Sequence, residues 1–246
     1  MPMDANTLDR FHEAQRGAIR ALREVVGALQ VGMTEVDVAE LCKERCKANG
    51  FDRSFCPPEV IAGGRSSTQR VWATPSGRAR LEAGEPVIID IAPATGEAFG
   101  NVATTVVLSS GGDPGVVPVA RECLRGCLGY SNQWKTIGEV FVFARAWATN
   151  HRLTLANPRS IGHRMLSKQA VSWDYPHLAH RVTWLRRHQV HFLNPARLEG
   201  LWSYRPQLTD GHIGAAFREA VYVEGDSKIV LGRESLDEVG DIGISA

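Results

Sequence analysis

The sequence predicts an α+β fold built as one domain with two similar halves. Two helical patterns followed by strand patterns occur in the first half of the chain, and the same order recurs in the second half. The 246 residues are enough for one domain with a full hydrophobic core. Because the chain shows neither a linker nor a low-complexity segment, we expect a single domain over 1–246.

Two helices open the first half. Apolar residues recur at helical spacing from residue 7 to about 29. A second helix is expected within 31–51, because Thr34 can cap its start, Asp37 lies three residues on and Gly50 can close it. The first-half strands then follow: a short extended piece, CPPEVIAGG, the turn and strand of RLEAGEPVIIDIA, and the partner strand NVATTVVL.

The second half repeats this order. Helical patterns are carried by GVVPVARECLRGCLGYSNQWK and TIGEVFVFARAWATNHR. RSIGHRM reads as a turn or strand edge, and AAFREAVYVEGDSKIVLG reads as strand, turn and strand. Residues 172–210 are rich in His, Trp and Arg and predict irregular structure with some strand.

Composition narrows the classes of partner and compartment. A net charge of +1 gives no argument for nucleic acid, and no apolar run approaches the length of a membrane span. The polar N-terminus does not resemble a signal peptide, so we expect five reduced cysteines and a cytoplasmic protein. A monomer and a homodimer fit this composition equally.

Charged residues inside apolar strands mark the candidate site. Asp90 follows two isoleucines and precedes another, and Glu219 lies in a strand with Phe217 and Val221. A carboxylate is expensive to bury unless it is paired. Both side chains therefore predict a polar pocket, in which Asn101, at the start of the partner strand, is a neighbour of Asp90.

Four landmarks occur in order along the chain: GMTEVDVAELCKERCKANGF, RLEAGEPVIIDI, SIGHRM and FREAVYVEGDSKIVL. Together they resemble the pita-bread family of methionine aminopeptidases, proline-specific aminopeptidases and creatinase, over nearly the whole chain. The resemblance implies a single pita-bread domain whose two pseudo-symmetric halves hold two divalent metals between them. In that family the ligands are two aspartates, one histidine and two glutamates.

Carried over by position, the resemblance matches three ligands, namely Asp90, His163 and Glu219. Asn101 falls where the family has its second aspartate, and Asn194 falls where it has a glutamate before proline. Two carboxylates have thus become amides, and the remaining formal charge of −2 neutralises one dication rather than two. We therefore predict no two-metal centre.

Two states of the site remain open at this point. One weakly bound divalent metal (Mn, Fe, Co or Zn) would lie at His163, Glu219, Asn101 and Asp90. In a site without metal, Asp90 and Glu219 would accept hydrogen bonds from Asn101, Asn194 or His163.

The resemblance also assigns residues that would contact substrate. Trp72, in WATP, falls where the family has a substrate-contacting histidine, and an indole cannot replace its acid–base chemistry. Arg164 replaces the glycine after the metal histidine, where it would clamp a carboxylate or fill the volume of a missing metal. Cys56 is expected in the pocket wall. The histidines that could substitute for the missing one are His177, His180, His188 and His191.

Three functions follow from these assignments. The first is a diverged, non-dinuclear pita-bread enzyme, a hydrolase or lyase, in which Asp90, His163 and Glu219 transfer protons on a small amino-acid-like or peptide-like substrate. The second is a non-catalytic pita-bread module that binds peptides or proteins. The third is a single-metal aminopeptidase. All three predict a small molecule or short peptide as ligand, and neither nucleic acid nor membrane.

Overall fold

The computed structural model describes residues 3–68, 74–108, 114–165 and 188–233. In these ranges the chain forms four α-helices, namely α1 (Ala5–Gly27), α2 (Glu35–Ala48), α3 (Val116–Gly129) and α4 (Ile137–Asn150). The first-half strands are β1 (Arg53–Ser54), β2 (Glu59–Ala62), β3 (Pro86–Ile91), β4 (Pro93–Thr95), β5 (Ala98–Phe99) and β6 (Val102–Val107). The second-half strands are β7 (Thr154–Leu155), β8 (Gly162–Arg164), β9 (Gly200–Tyr204), β10 (Gln207–Thr209), β11 (Gly214–Ala216), β12 (Glu219–Glu224) and β13 (Ser227–Val230). The predicted α+β class and the repeated order of helices and strands are confirmed.

The second helix starts where its sequence predicts. Thr34 accepts a hydrogen bond from the Asp37 amide at 3.1 Å, and the Asp37 carboxylate accepts one from the Thr34 amide at 2.8 Å. This reciprocal capping box satisfies two amides that the first turn of α2 leaves without helical partners. Strands β9 and β10 supply the strand structure expected within the His-, Trp- and Arg-rich segment 172–210. Residues 172–187 of this segment lie outside the described residues.

Two antiparallel sheets meet at the centre of the molecule. One has the strand order β2-β3-β6 and the other β13-β12-β9-β8. A backbone bridge joins them, since Ala103 of β6 and Arg218, just before β12, exchange hydrogen bonds of 3.3 and 3.0 Å. The bridge brings the edge of the first-half sheet against the start of β12.

The sheet that contains β9 and β12 separates two hydrophobic cores. Leu201 and Tyr222 pack in the core under α1 and α2, whereas Trp202 and Val221 pack in the core under α3 and α4. Adjacent residues face different cores because side chains alternate across a strand. None of the helices found in the described ranges has the length and apolar content that crossing a membrane requires.

Candidate functional site

A row of directly opposed residues crosses strands β2, β3 and β6 and contains three charged side chains of the site. Glu59 of β2 lies opposite Asp90 of β3, Asp90 lies opposite Ala103, and Ala103 bridges to Arg218. Opposed residues in neighbouring strands point to the same face of a sheet. The row therefore brings Arg218 to Asp90, and the distance from Arg218 Nη2 to Asp90 Oδ2 is 3.2 Å.

Arg205 adds a second cation to the same carboxylate. This residue directly follows β9, and its Nε lies 2.7 Å from Asp90 Oδ2. Its Nη2 donates to Glu59 Oε2 at 2.8 Å, and its Nη1 donates to Gln207 Oε1 at 3.0 Å. Two acids of the first half are thus paired with two arginines of the second half. Buried charges are tolerated when they are paired and hydrogen-bonded in this way.

Asn101 and His163 form the neutral part of the site. Asn101 Nδ2 lies 2.9 Å from His163 Nε2, and Asn101 Oδ1 accepts from Arg218 Nη1 at 2.6 Å. His163 Nδ1 lies 3.1 Å from the Arg164 carbonyl, which assigns the ring proton to Nδ1 and leaves Nε2 as the acceptor from Asn101. Burial, and then the charge of Arg218, lower the pKa of His163 to about 4, so the imidazole is neutral at physiological pH.

Glu219 is held by a separate arginine. Arg233 Nε donates to Glu219 Oε1 at 3.1 Å, and Arg233 Nη2 donates to the same oxygen. Gln15 of α1 donates to Glu219 Oε2 at 3.4 Å. Burial raises the pKa of Glu219, and the positive charge of Arg233 opposes that shift.

Gln15 also fixes the backbone at Asn101. Its side chain accepts from the Asn101 amide at 2.7 Å and donates to the Asn101 carbonyl at 3.2 Å. The preceding residue is Gly100, where a Cβ would collide with Ala18 Cβ and the Ala14 carbonyl of α1. The absence of a side chain there lets α1 approach closely enough for Gln15 to reach both Asn101 and Glu219.

Four of the predicted site residues are brought together: Asp90, Asn101, His163 and Glu219. The expected partners of the carboxylates need correction, however. Asp90 pairs with Arg205 and Arg218, and Glu219 pairs with Arg233 and Gln15, instead of Asn101, Asn194 or His163. Guanidinium groups neutralise these carboxylates, which neutral amides cannot do, and at Glu219 the hydrogen bonds from Arg233 are charge-assisted.

Asn194 lies in a loop of its own. Its Nδ2 donates to the Gln189 carbonyl at 2.8 Å, and its Oδ1 accepts from the Ala196 amide at 3.0 Å. These bonds shape the turn that precedes β9. The residue before a proline that reaches Asp90 is Arg205, which precedes Pro206.

Arg164 faces away from the charged cluster. It lies opposite Trp202 in the pairing of β8 and β9, and its Cζ is 5.9 Å from the centre of the Trp202 ring. The neighbouring His163 points the other way, with its ring 5.5 Å from that of Phe55. The prediction that Arg164 fills the volume of a missing metal is therefore wrong, because its side chain lies against Trp202 of the second-half core.

Cys56 lies close enough to the charged cluster for Asp90 and Arg218 to affect the pKa of its thiol. It is buried, and burial raises the pKa of its thiol well above the usual range, with a further contribution from Asp90. A neutral thiol is a poor nucleophile. Trp72, His177 and His180 lie outside the described residues.

Sequence reasoning missed one neutral residue that holds the site together, Gln15, and the four charged residues that dominate its electrostatics: Glu59, Arg205, Arg218 and Arg233. Two of them left a signal. Arg218 is a charged residue next to Glu219 within an apolar pattern, and Arg205 precedes a proline as the first of the family's two glutamates does. Within the described ranges, no group of three or more His, Cys, Asp or Glu is arranged to hold a metal ion.

Comparison with known proteins agrees with the fold. The family model for metallopeptidase family M24 matches residues 9–224, and no curated protein matches the chain. An X-Pro aminopeptidase from Thermotoga maritima superposes with a TM-score of 0.73 at 17% identity, covering 96% of this chain and 63% of that one. A prolidase from Pyrococcus furiosus superposes with a TM-score of 0.72 at 15% identity, covering 95% of this chain and 66% of that one.

A shorter relative is matched along almost all of its length. A methionine aminopeptidase from Thermotoga maritima has a TM-score of 0.72 at 16% identity, with 95% of this chain and 99% of that chain covered. By contrast, the chain spans less than two thirds of the length of the X-Pro aminopeptidase and of the prolidase. At these identities the likeness shows the shared fold.

Proposed function

The chain belongs to metallopeptidase family M24, and we propose that this member binds a small amino-acid-like or peptide-like molecule without hydrolysing it. One observation carries the proposal. Asp90 is shared by Arg205 and Arg218, and Glu219 is held by Arg233. Carboxylates in such pairs are poorly placed either to ligate a metal or to accept a proton from water.

The residues of the centre do not fit a divalent metal. Three carboxylates, from Glu59, Asp90 and Glu219, are balanced by three buried or nearly buried guanidinium groups. A dication would have to displace arginines that lie 2.7 and 3.2 Å from the Asp90 oxygen. A two-metal centre also needs bridging carboxylates, whereas the amide of Asn101 and the cations Arg205 and Arg218 lie at this place in the structure. The single-metal aminopeptidase is therefore not supported, and we derive no step through a metal.

The half-buried edge of the cluster offers groups that recognise a ligand. The Arg218 side chain is 12% exposed, and its buried Nε has no hydrogen-bond partner in the part of the chain that the structure describes. The neutral His163 is half-buried beside it. Nη1 and Nη2 of Arg218 are engaged by Asn101 and Asp90, so its Nε–H and its positive charge are what it offers to a ligand. Both suit the carboxylate of an amino acid or short peptide, and this favours ligands with a free carboxyl group.

The test is a binding and turnover screen with free amino acids and dipeptides. Isothermal titration should give saturable binding of a carboxylate-bearing ligand, with no change of that ligand after prolonged incubation, as judged by mass spectrometry. Arg218→Met should abolish binding. Arg197→Met is the matched control and should leave binding unchanged, because the Arg197 side chain is 84% exposed. Cleavage of a ligand by the unaltered protein would overturn the proposal.

A second candidate is metal-free acid–base catalysis on the same class of molecule. It is favoured by the neutral His163, whose Nε2 has the Asn101 amide as its hydrogen-bond partner among the described residues. A ligand that displaced Asn101 would expose a base. If turnover is found, it should be lost in His163→Gln. Turnover that survives this substitution would exclude this mechanism.

A further inference from the structure

We propose that Arg205, and not Asn194, occupies the position of the family's glutamate before proline, and that its guanidinium serves as the internal cation between the two halves. The position of Arg205 accounts for the positive charge at Asp90, whichever ligand the site binds.

The strand register carries the positional argument. In the sheet that holds the matched ligands, His163 lies opposite Ser203, and Glu219 lies opposite Tyr204. The next residue along the chain is Arg205, which is followed by Pro206. Arg205 lies two residues after Ser203 and therefore extends the face of the sheet that carries His163. From this position its Nε lies 2.7 Å from Asp90 Oδ2, the matched ligand of the first half.

Asn194 shares only the following proline. Its hydrogen bonds to the Gln189 carbonyl and the Ala196 amide close a turn, and its own carbonyl accepts from Gly138 of α4 at 3.0 Å. These contacts join the loop to the core of the second half. Asn194-Pro195 therefore belongs to a loop, whereas Arg205-Pro206 follows directly on strand β9.

The contacts of Arg205 are those of a bridging cation. Its side chain is 1% exposed, and it reaches two first-half carboxylates, Glu59 and Asp90, from a second-half strand. Gln207 Oε1 accepts from Nη1 at 3.0 Å and so orients the guanidinium. A buried guanidinium with this many acceptors holds two anions close together, as a bridging metal does.

Two variants separate the two assignments. The first is Asn101→Asp/Arg205→Glu/Arg218→Gln/Arg233→Gln, which returns carboxylates to the strand positions and removes all three cations. The second is Asn101→Asp/Asn194→Glu/Arg218→Gln/Arg233→Gln, in which the glutamate is placed in the loop and Arg205 is kept. Each is stripped with a chelator and titrated with Mn²⁺ and Co²⁺ by calorimetry, and its Tm is measured with and without Mn²⁺.

We expect saturable metal binding and a rise of Tm with Mn²⁺ in the first variant and neither in the second. The proposal is overturned if the loop variant binds metal as well as the strand variant or better, or if neither binds. If the first variant does not fold, a double-mutant cycle of Arg205→Met and Asp90→Asn decides. A tenfold or larger coupling in the folding equilibrium supports the bridging cation, and additive effects refute it. Because these measurements use no organic ligand, their failure is distinct from failure of the proposed ligand binding.

Discussion

Arg205 and Asp90 lie on opposite halves of the chain, and the distance from Arg205 Nε to Asp90 Oδ2 is 2.7 Å. The side chains are 1% and 4% exposed, so both charges have left water. A carboxylate between isoleucines is accommodated because a guanidinium, which keeps its charge when buried, has been placed against it. The pair also ties strand β3 to the end of strand β9.

Removal of Arg205 should be strongly destabilising. Arg205→Met leaves Asp90 and Glu59 buried with less positive charge, and breaking a buried pair in this way costs about 3–5 kcal/mol. Urea unfolding should show that loss in the free energy of unfolding. Arg205→Met/Asp90→Asn should recover part of it, and Arg197→Met, at an exposed arginine, should change stability by less than about 0.5 kcal/mol.

His163 should make the protein less stable in mild acid. Its pKa is lowered from 6.5 to about 4 in the folded state. Its contribution to the free energy of unfolding is therefore complete above pH 6.5 and is lost as the pH falls from 6.5 through about 4. Between these two pH values the unfolded chain binds the proton and the folded chain does not. The shift corresponds to about 3 kcal/mol.

The measurement compares the unfolding free energy of the unaltered protein and His163→Gln at several pH values. The glutamine variant keeps an acceptor for Asn101 and does not titrate. The unaltered protein should therefore lose about 3 kcal/mol more than the variant between pH 7 and pH 4. Parallel pH profiles would show that His163 titrates normally in the fold.

The element order could be predicted from the sequence because local signals encode it. The capping box of Thr34 and Asp37 starts α2, and alternation marks β3 and β12. The family landmarks predict that Asp90, Asn101, His163 and Glu219 lie near one another, and in the structure Arg218 and Gln15 link them into one network. The pairing of strands β3 with β6 and of β9 with β8 and β12 brings these residues together.

The arginines could not be predicted in the same way. Arg205, Arg218 and Arg233 reach the site from separate strand ends, and no local pattern says that an arginine will turn inward. Their effect depends on tertiary pairing, which only the fold reveals. Asn194 was assigned to the site because it precedes a proline, and the true neighbour of Asp90 has the same local signature.

Gln15 should prove a stabilising residue of the site. Gln15→Ala would leave the buried amide and carbonyl of Asn101 without their partners, each loss costing about 1–3 kcal/mol. Thermal unfolding should show a clear drop in Tm. The exposed Gln30 provides the control, since Gln30→Ala should leave Tm nearly unchanged. Equal effects of the two substitutions would contradict the assigned role.

The cysteines should be unreactive in the folded protein. All five are free and buried, and burial raises the pKa of Cys56 and Cys42. Only the thiolate reacts rapidly with disulfide reagents. Labelling at neutral pH should therefore be slow in native protein and should reach five thiols after denaturation. A fast-reacting thiol lost in Cys56→Ser would instead identify an accessible nucleophile.

The most direct test of the arginine-filled centre is a crystal structure from protein soaked in excess Mn²⁺, with anomalous data collected near the manganese edge. We predict Arg205 and Arg218 in contact with Asp90, Arg233 in contact with Glu219, and no anomalous peak among these residues. A peak bound by Asp90, His163 and Glu219, with the arginines turned away, would contradict the account and restore a metal-dependent peptidase.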